Sequence, residues 1–242
     1  MRTRVKYCGL VRPQDVDAAV AIGADAVGLV FYPRSPRLLD IATAAALRRR
    51  LPSWVSAVGL FVNEPPAAIA AVVREVGLDV VQLHGDETPA DGKALPTAWW
   101  KAIRIAACAA ADGAPAPAVG AAGGAATEAV LDDPARAAIL QALTAFREAE
   151  FCLLDSASVG YGGSGRTFDW RVVPPDLGHR LIMSGGLDPA NVGAAIASLR
   201  PFGVDTSSGI QGRNPREKDV GRMEQFMEAV RRADDALALT KQ

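Results

Sequence analysis

The chain has 242 residues, 50% of them hydrophobic and 22% charged, with a formal net charge of −1. This allows one barrel-sized domain, or two small ones, with a substantial core. A near-neutral chain without a Lys/Arg stripe leaves nucleic acid and anionic membrane out of the expected partners.

Three cysteines, Cys8, Cys108 and Cys152, are odd in number and lack the close pairing of a zinc or redox motif. A reduced, cytoplasmic protein is expected. The opening MRTRVKYCGL holds no signal-peptide core, and no run approaches the ~20 apolar residues of a membrane span.

In chain order, short apolar runs are predicted as strands: Arg4–Cys8, Ala26–Phe31, Ser56–Val62, Val80–Leu83, Trp99–Ile105, Phe151–Leu154, Leu181–Met183 and Gly203–Thr206. Their near-continuous hydrophobicity is that of strands covered on both faces. Helical stretches lie between them. Pro13–Ile22 opens on Pro with acids in its first turns, and Ile41–Leu51 carries Arg48, Arg49 and Arg50 near its end. Pro66–Val76 stops before Gly77, while Thr88–Leu95 is weakened by Gly92. Pro134–Glu148, Ala190–Leu199 and Glu217–Ala233 complete the set. This alternation predicts an α/β fold, a single-domain (β/α)8 TIM barrel over residues 1–235 with a tail at 236–242. An open doubly wound sheet is the alternative, but its glycine-rich signal belongs after the first strand and here the glycines come late. Residues 106–126, rich in Ala, Gly and Pro, read as an insertion after the fifth strand, either a plain loop or a lid.

Barrel enzymes build their sites at the C-terminal ends of the strands. Those ends read VKYCGL, GLVFYPRSPRLL, VVQLHGDE, FCLLDS followed by GYGGSGRTFDW, LIMSGGLDPANV, and GVDTSSGI with EKD further on. In this order, over nearly the whole chain, they resemble the motifs of the phosphoribosylanthranilate isomerase family of tryptophan biosynthesis. The resemblance implies a TIM barrel, no cofactor and a small phosphorylated substrate; no metal-ligand cluster is visible in the sequence, so no metal is expected. It also implies an Amadori rearrangement of N-(5′-phosphoribosyl)anthranilate to 1-(o-carboxyphenylamino)-1-deoxyribulose 5-phosphate. A monomer or a homodimer is expected.

That reaction needs an acid to open the furanose and a base to take the C2′ proton. Cys8 ends the first strand and Asp155 the sixth, so a closed barrel aims both into one mouth. By resemblance Cys8 is the base and Asp155 the acid. Cys8 needs a nearby cation or amide dipole to act as thiolate, and Lys6 lies two residues away, on the same side of its strand. Asp155 must hold a proton near neutrality, which burial or a neighbouring anion favours.

The substrate's anions need anchors. Gly185, Gly186, Ser207, Ser208 and Gly209 sit where barrels bind phosphate. Gly162, Gly163, Ser164 and Gly165 form either a loop over the site or a plain turn. By resemblance Arg37 pairs with the anthranilate carboxylate; Gln82 is a candidate substrate contact, and Asp205 either contacts substrate or orients loop amides. His84 is expected to support the site without moving protons, and His179 is assigned no role. Cys152, Trp99, Trp100 and Trp170 read as packing. The chain departs from the family pattern at Tyr7, where a branched aliphatic is more usual, and in the long insertion. Competing readings are another phosphosugar barrel, such as a histidine-pathway isomerase, which would carry an aspartate where Cys8 stands, and a non-catalytic phosphometabolite sensor, which needs neither Cys8 nor Asp155.

Overall fold

The computed structural model describes residues 2–105, 134–156, 168 and 170–239. Eight parallel strands close into a barrel in chain order: β1 (Arg4–Cys8), β2 (Ala26–Val30), β3 (Ser56–Phe61), β4 (Val80–Leu83), β5 (Ala98–Ile105), β6 (Phe151–Ser156), β7 (Leu181–Met183) and β8 (Gly203–Thr206), with β8 pairing back onto β1. The described helices are α1 (Pro13–Ile22), α2 (Ile41–Arg48), α3 (Pro66–Val76), α4 (Pro89–Lys93), α5 (Pro134–Ala145), α6 (Val192–Leu199) and α7 (Val220–Leu239). None of them is long and apolar enough to cross a membrane.

Local sequence sets the helix ends. Asp40 caps α2 by accepting from the Thr43 amide at 2.7 Å, and Thr88 and Asp91 form a reciprocal capping box at α4. The glycine that weakens α4 is there for contact: a Cβ on Gly92 would come within 2.6 Å of the Trp99 indole. Most boundaries that differ from expectation shift by one to three residues, and two extensions matter more. Strand β6 runs on through Asp155 and Ser156, because both pair with β5 at Arg104 and Ile105. Helix α7 continues to Leu239, so residues 236–239, expected as tail, are still helical. The 106–126 insertion lies outside the described residues.

Strand alternation divides the core in two. On β1, Val5 and Tyr7 face outward into the large cluster under the helices, where the Tyr7 hydroxyl donates to the Met223 carbonyl at 2.7 Å. Lys6 and Cys8 face inward. The barrel floor is an apolar plug of Ala26, Val58, Val80, Trp100, Ala102, Leu153 and Ile182. Above it lies a buried polar layer of Lys6, Gln82 and Asp205, and above that Cys8 packs with Val30, Leu60 and Val62. Cys8 and its neighbours thus lie toward the C-terminal face of the barrel.

Candidate active site

A cavity of about 840 Å³, counting the space open to solvent, sits at that face. Cys8, Asp155, Arg37, Gln82, His84, Asp205, Gly185, Gly186, Ser207 and Ser208 all line it. The fold thus gathers residues from β1, β4, β6, β8 and the segments after β2 and β7.

Cys8 is held at the cavity wall by a small neighbour. It pairs with Gly28 on β2, and a Cβ there would come within 2.7 Å of the Cys8 sulfur. Below it Lys6 forms a buried ion pair with Asp205 at 2.8 Å, and its charge acts on the Cys8 sulfur above. Burial opposes the Lys6 charge, yet Asp205 and Cys8 outweigh it and hold the ammonium above its ordinary range. Burial pushes the Cys8 thiol up, more strongly than Lys6 and Lys218 pull it down.

Asp155 sits opposite, on β6, 6% exposed. Its Oδ2 lies 3.1 Å from His84 Nε2, and His84 Nδ1 lies 2.9 Å from the Gln82 amide nitrogen. Oδ1 lies toward Gly185: a Cβ on that residue would meet it at 2.9 Å and the Ser156 amide at 2.5 Å. With φ at +80°, position 185 also has a backbone that side chains disfavour, so glycine is required twice over.

Gly185 and Gly186 form the turn after β7, and Ser208, Gly209 and Ile210 form one 3-10 turn after β8. Gly209 fits tightly under the β7 segment, where a Cβ would meet the Leu187 carbonyl at 2.1 Å. The Ser207 hydroxyl donates to the Cys8 carbonyl at 2.9 Å and accepts from Lys218 Nζ at 3.2 Å, so its one proton is already used. Arg37 lies across Gly9 and donates from Nε to the Pro215 carbonyl and from Nη2 to Gln211, both at 3.0 Å. Asp205 uses one oxygen on Lys6 and the other on the Ser184 hydroxyl at 3.2 Å. Gly162, Gly163, Ser164 and Gly165 lie outside the described residues.

Two residues near the cavity were given no chemical part by the sequence. Lys218, in the EKD triplet, is 4% exposed, and its Nζ donates to the Ser207 carbonyl at 2.8 Å. Burial and the nearby Arg37 charge bring its amine down to about 7. His84 lies between Gln82 and Asp155. A loop lysine carries no sequence signal of burial; here the chain around it folds back onto Gln211 and the Asp15 carboxylate. His84 carried a stronger signal, because Gln82 and His84 are two apart on one strand and therefore share a face.

A sequence model of the family described as N-(5'phosphoribosyl)anthranilate (PRA) isomerase matches residues 5–119 and 126–229. The N-(5'-phosphoribosyl)anthranilate isomerase of Leptothrix cholodnii is 42% identical over 233 residues, covering 96% of this chain and 93% of its own. That of Bordetella petrii is 44% identical over 241 residues, covering 98% and 99%. Among solved structures, phosphoribosyl anthranilate isomerase from Thermotoga maritima superposes with a TM-score of 0.77 at 35% identity, covering 95% of this chain and 98% of that one. A phosphoribosyl anthranilate isomerase in complex with reduced 1-(o-carboxyphenylamino)-1-deoxyribulose 5-phosphate superposes with a TM-score of 0.74 at 33% identity, with the same coverage. With its closed barrel and the matched family model spanning most of its length, the chain belongs to the N-(5'-phosphoribosyl)anthranilate isomerase family.

Proposed function

We propose that this cavity isomerises N-(5′-phosphoribosyl)anthranilate to 1-(o-carboxyphenylamino)-1-deoxyribulose 5-phosphate, with Asp155 as general acid and Cys8 as general base. The isomerisation is the step of tryptophan biosynthesis that defines the family. The observation that carries the assignment of residues is that a buried thiol on β1 and a buried carboxyl on β6 line one cavity together with the glycine–serine turns.

Asp155 gives its proton to the ring oxygen, and the C1′–O4′ bond opens to an iminium. The Cys8 sulfur takes the C2′ proton, giving an enolamine. Loss of the 2′-hydroxyl proton and gain of one at C1′ complete the ketone. The order of events suits the site. A thiol pushed up by burial first releases its proton to solvent, more readily once a cationic iminium stands beside it and with the Lys6 charge acting from below, and the thiolate so formed takes the C2′ proton. The turns at Gly185, Gly186, Ser208 and Gly209 offer backbone amides to the 5′-phosphate, and Lys218 adds charge. Arg37 has N–H donors beyond the two in use, from which it pairs with the anthranilate carboxylate. Asp205 holds Lys6 under the sulfur and serves the base from there. The protein works in the cytoplasm as a monomer or a homodimer.

The test is loss of substrate fluorescence with freshly made phosphoribosylanthranilate. Cys8→Ala and Asp155→Asn fold normally and lose at least about 100-fold in kcat. Near-normal turnover in both variants contradicts the assignment. An aspartate-based isomerase reading has nothing to use at Cys8, and a sensor predicts no turnover by the unmutated protein.

A further inference from the structure

The hydrogen-bonded row Gln82–His84–Asp155 is buried end to end, with the three residues 0%, 5% and 6% exposed. Its geometry carries a choice that decides how Asp155 works. A neutral imidazole bears one proton, on either Nδ1 or Nε2. If the Gln82 amide turns its nitrogen to Nδ1, that nitrogen accepts, Nε2 keeps the proton, and Asp155 Oδ2 receives a hydrogen bond. If the amide turns its oxygen to Nδ1, the imidazole proton moves there, and Nε2 becomes an acceptor facing Asp155.

Burial distinguishes the two. With nitrogen toward His84, Gln82 Oε1 has no hydrogen-bond partner among the described residues. Turning the amide over would put the two N–H donors in that place instead. An unpartnered buried carbonyl is more readily tolerated than unpartnered N–H groups, so the first arrangement is favoured.

The surroundings hold the imidazole still. The His84 amide bonds the Phe61 carbonyl at 2.9 Å. The following turn is clamped by Lys101, whose Nζ donates to the Gly85 carbonyl and to Glu87, both at 2.7 Å. Glu87 in turn accepts from the amides of Gly85 and Asn63.

We infer that Gln82 and His84 are positioning residues for Asp155: the Gln82 amide fixes His84 as the Nε2–H tautomer, which occupies Oδ2 and leaves Oδ1 as the oxygen that carries the proton to substrate. Oδ1 is the oxygen on the Gly185 side, where the absent Cβ leaves it room. When the proton leaves, the Nε2–H donor remains to stabilise the carboxylate left behind, without moving. The inference rests on the reading of Asp155 as acid.

Heteronuclear NMR of the full chain, labelled at histidine, reads the tautomer directly. The chain has only 2 histidines, and a His179→Gln variant assigns the signals. The expected result is a pyridine-like Nδ1 and a protonated Nε2 at His84. In Gln82→Met the two tautomers mix, and kcat falls about 10- to 100-fold with KM little changed, as for a misaligned proton donor. Gln82→Glu, close in shape but an acceptor where the amide donated, moves the proton to Nδ1 and lowers kcat similarly.

A proton on Nδ1 in the wild type overturns the inference and leaves the acid assignment standing. A wild-type kcat in Gln82→Met or Gln82→Glu also overturns it. Near-normal turnover of Asp155→Asn removes the acid assignment, and the inference with it, while the tautomer signal stays where it is.

Discussion

Replacing Lys6 with Met tests the polar layer beneath the site. Lys6 and Asp205 are 3% and 5% exposed and lie 2.8 Å apart. Removing the ammonium leaves a buried carboxylate held, among the described residues, by the Ser184 hydroxyl at 3.2 Å. Breaking one side of such a pair costs about 3–5 kcal/mol, because the partner stays desolvated and uncompensated. Against a total of about 5–15 kcal/mol that loss is large, and for a chain of this size it lowers Tm by about 6–20 °C. Urea denaturation of Lys6→Met, Asp205→Asn and the double variant measures the coupling. The double variant should recover most of the loss, since Asn needs no counter-charge and Met fills the lysine stem's volume. A loss under about 1 kcal/mol in Lys6→Met, or losses that simply add in the double variant, would refute the reasoning.

Other expectations follow from single features. Gly28→Ala places a methyl 2.7 Å from the Cys8 sulfur, so the fold persists while kcat drops at least about 10-fold; unchanged kcat would show that the sulfur has room to move. Ultraviolet thiolate absorbance, wild type minus Cys8→Ala, should be absent at neutral pH in the free enzyme and emerge only above the ordinary thiol range of ~8.5; a thiolate signal at pH 7 would contradict the burial argument. The Lys218 amine falls to about 7 in the folded state, below the ordinary lysine value of 10.5. Between those values the unfolded chain binds the extra proton, so this group makes stability rise with pH, by at most about 1.4 kcal/mol per unit. Lys218→Met should flatten the profile across that window, and an unchanged slope would count against it. Arg37→Met should raise KM for the natural substrate and leave an analogue without the benzoate carboxylate unaffected; equal damage to both would remove the anchor role.

The sequence made much of this architecture readable, for identifiable reasons. Strands buried on two faces give unbroken apolar runs, and β1, β4, β7 and β8 have the predicted bounds. Strand β6 ran longer than its hydrophobicity because Asp155 and Ser156 keep the ladder to β5 while turning polar at the mouth. That polarity is what made Asp155 noticeable. Proline starts and glycine stops gave α1 and α3 their ends. What stayed hidden was tertiary. The balance of burial against charge at Cys8 depends on how deep the sulfur sits. The commitment of both Asp205 oxygens depends on β7 and β1 meeting across β8. The burial of Lys218 depends on the chain around it folding back onto Gln211 and the Asp15 carboxylate. Periodicity and spacing carry none of these quantities.

The central claim is that a thiol and a carboxyl act from two sides of one bound phosphosugar. A crystal structure of this chain with reduced 1-(o-carboxyphenylamino)-1-deoxyribulose 5-phosphate tests it most directly. The account predicts phosphate on the amides of Gly185, Gly186 and the Ser208 turn, the benzoate carboxylate on Arg37, the Cys8 sulfur against C2′, and Asp155 Oδ1 against the oxygen that closes the furanose in the substrate. A ligand seated with Cys8 and Asp155 on the same side, or with either turned away from the sugar, would contradict it.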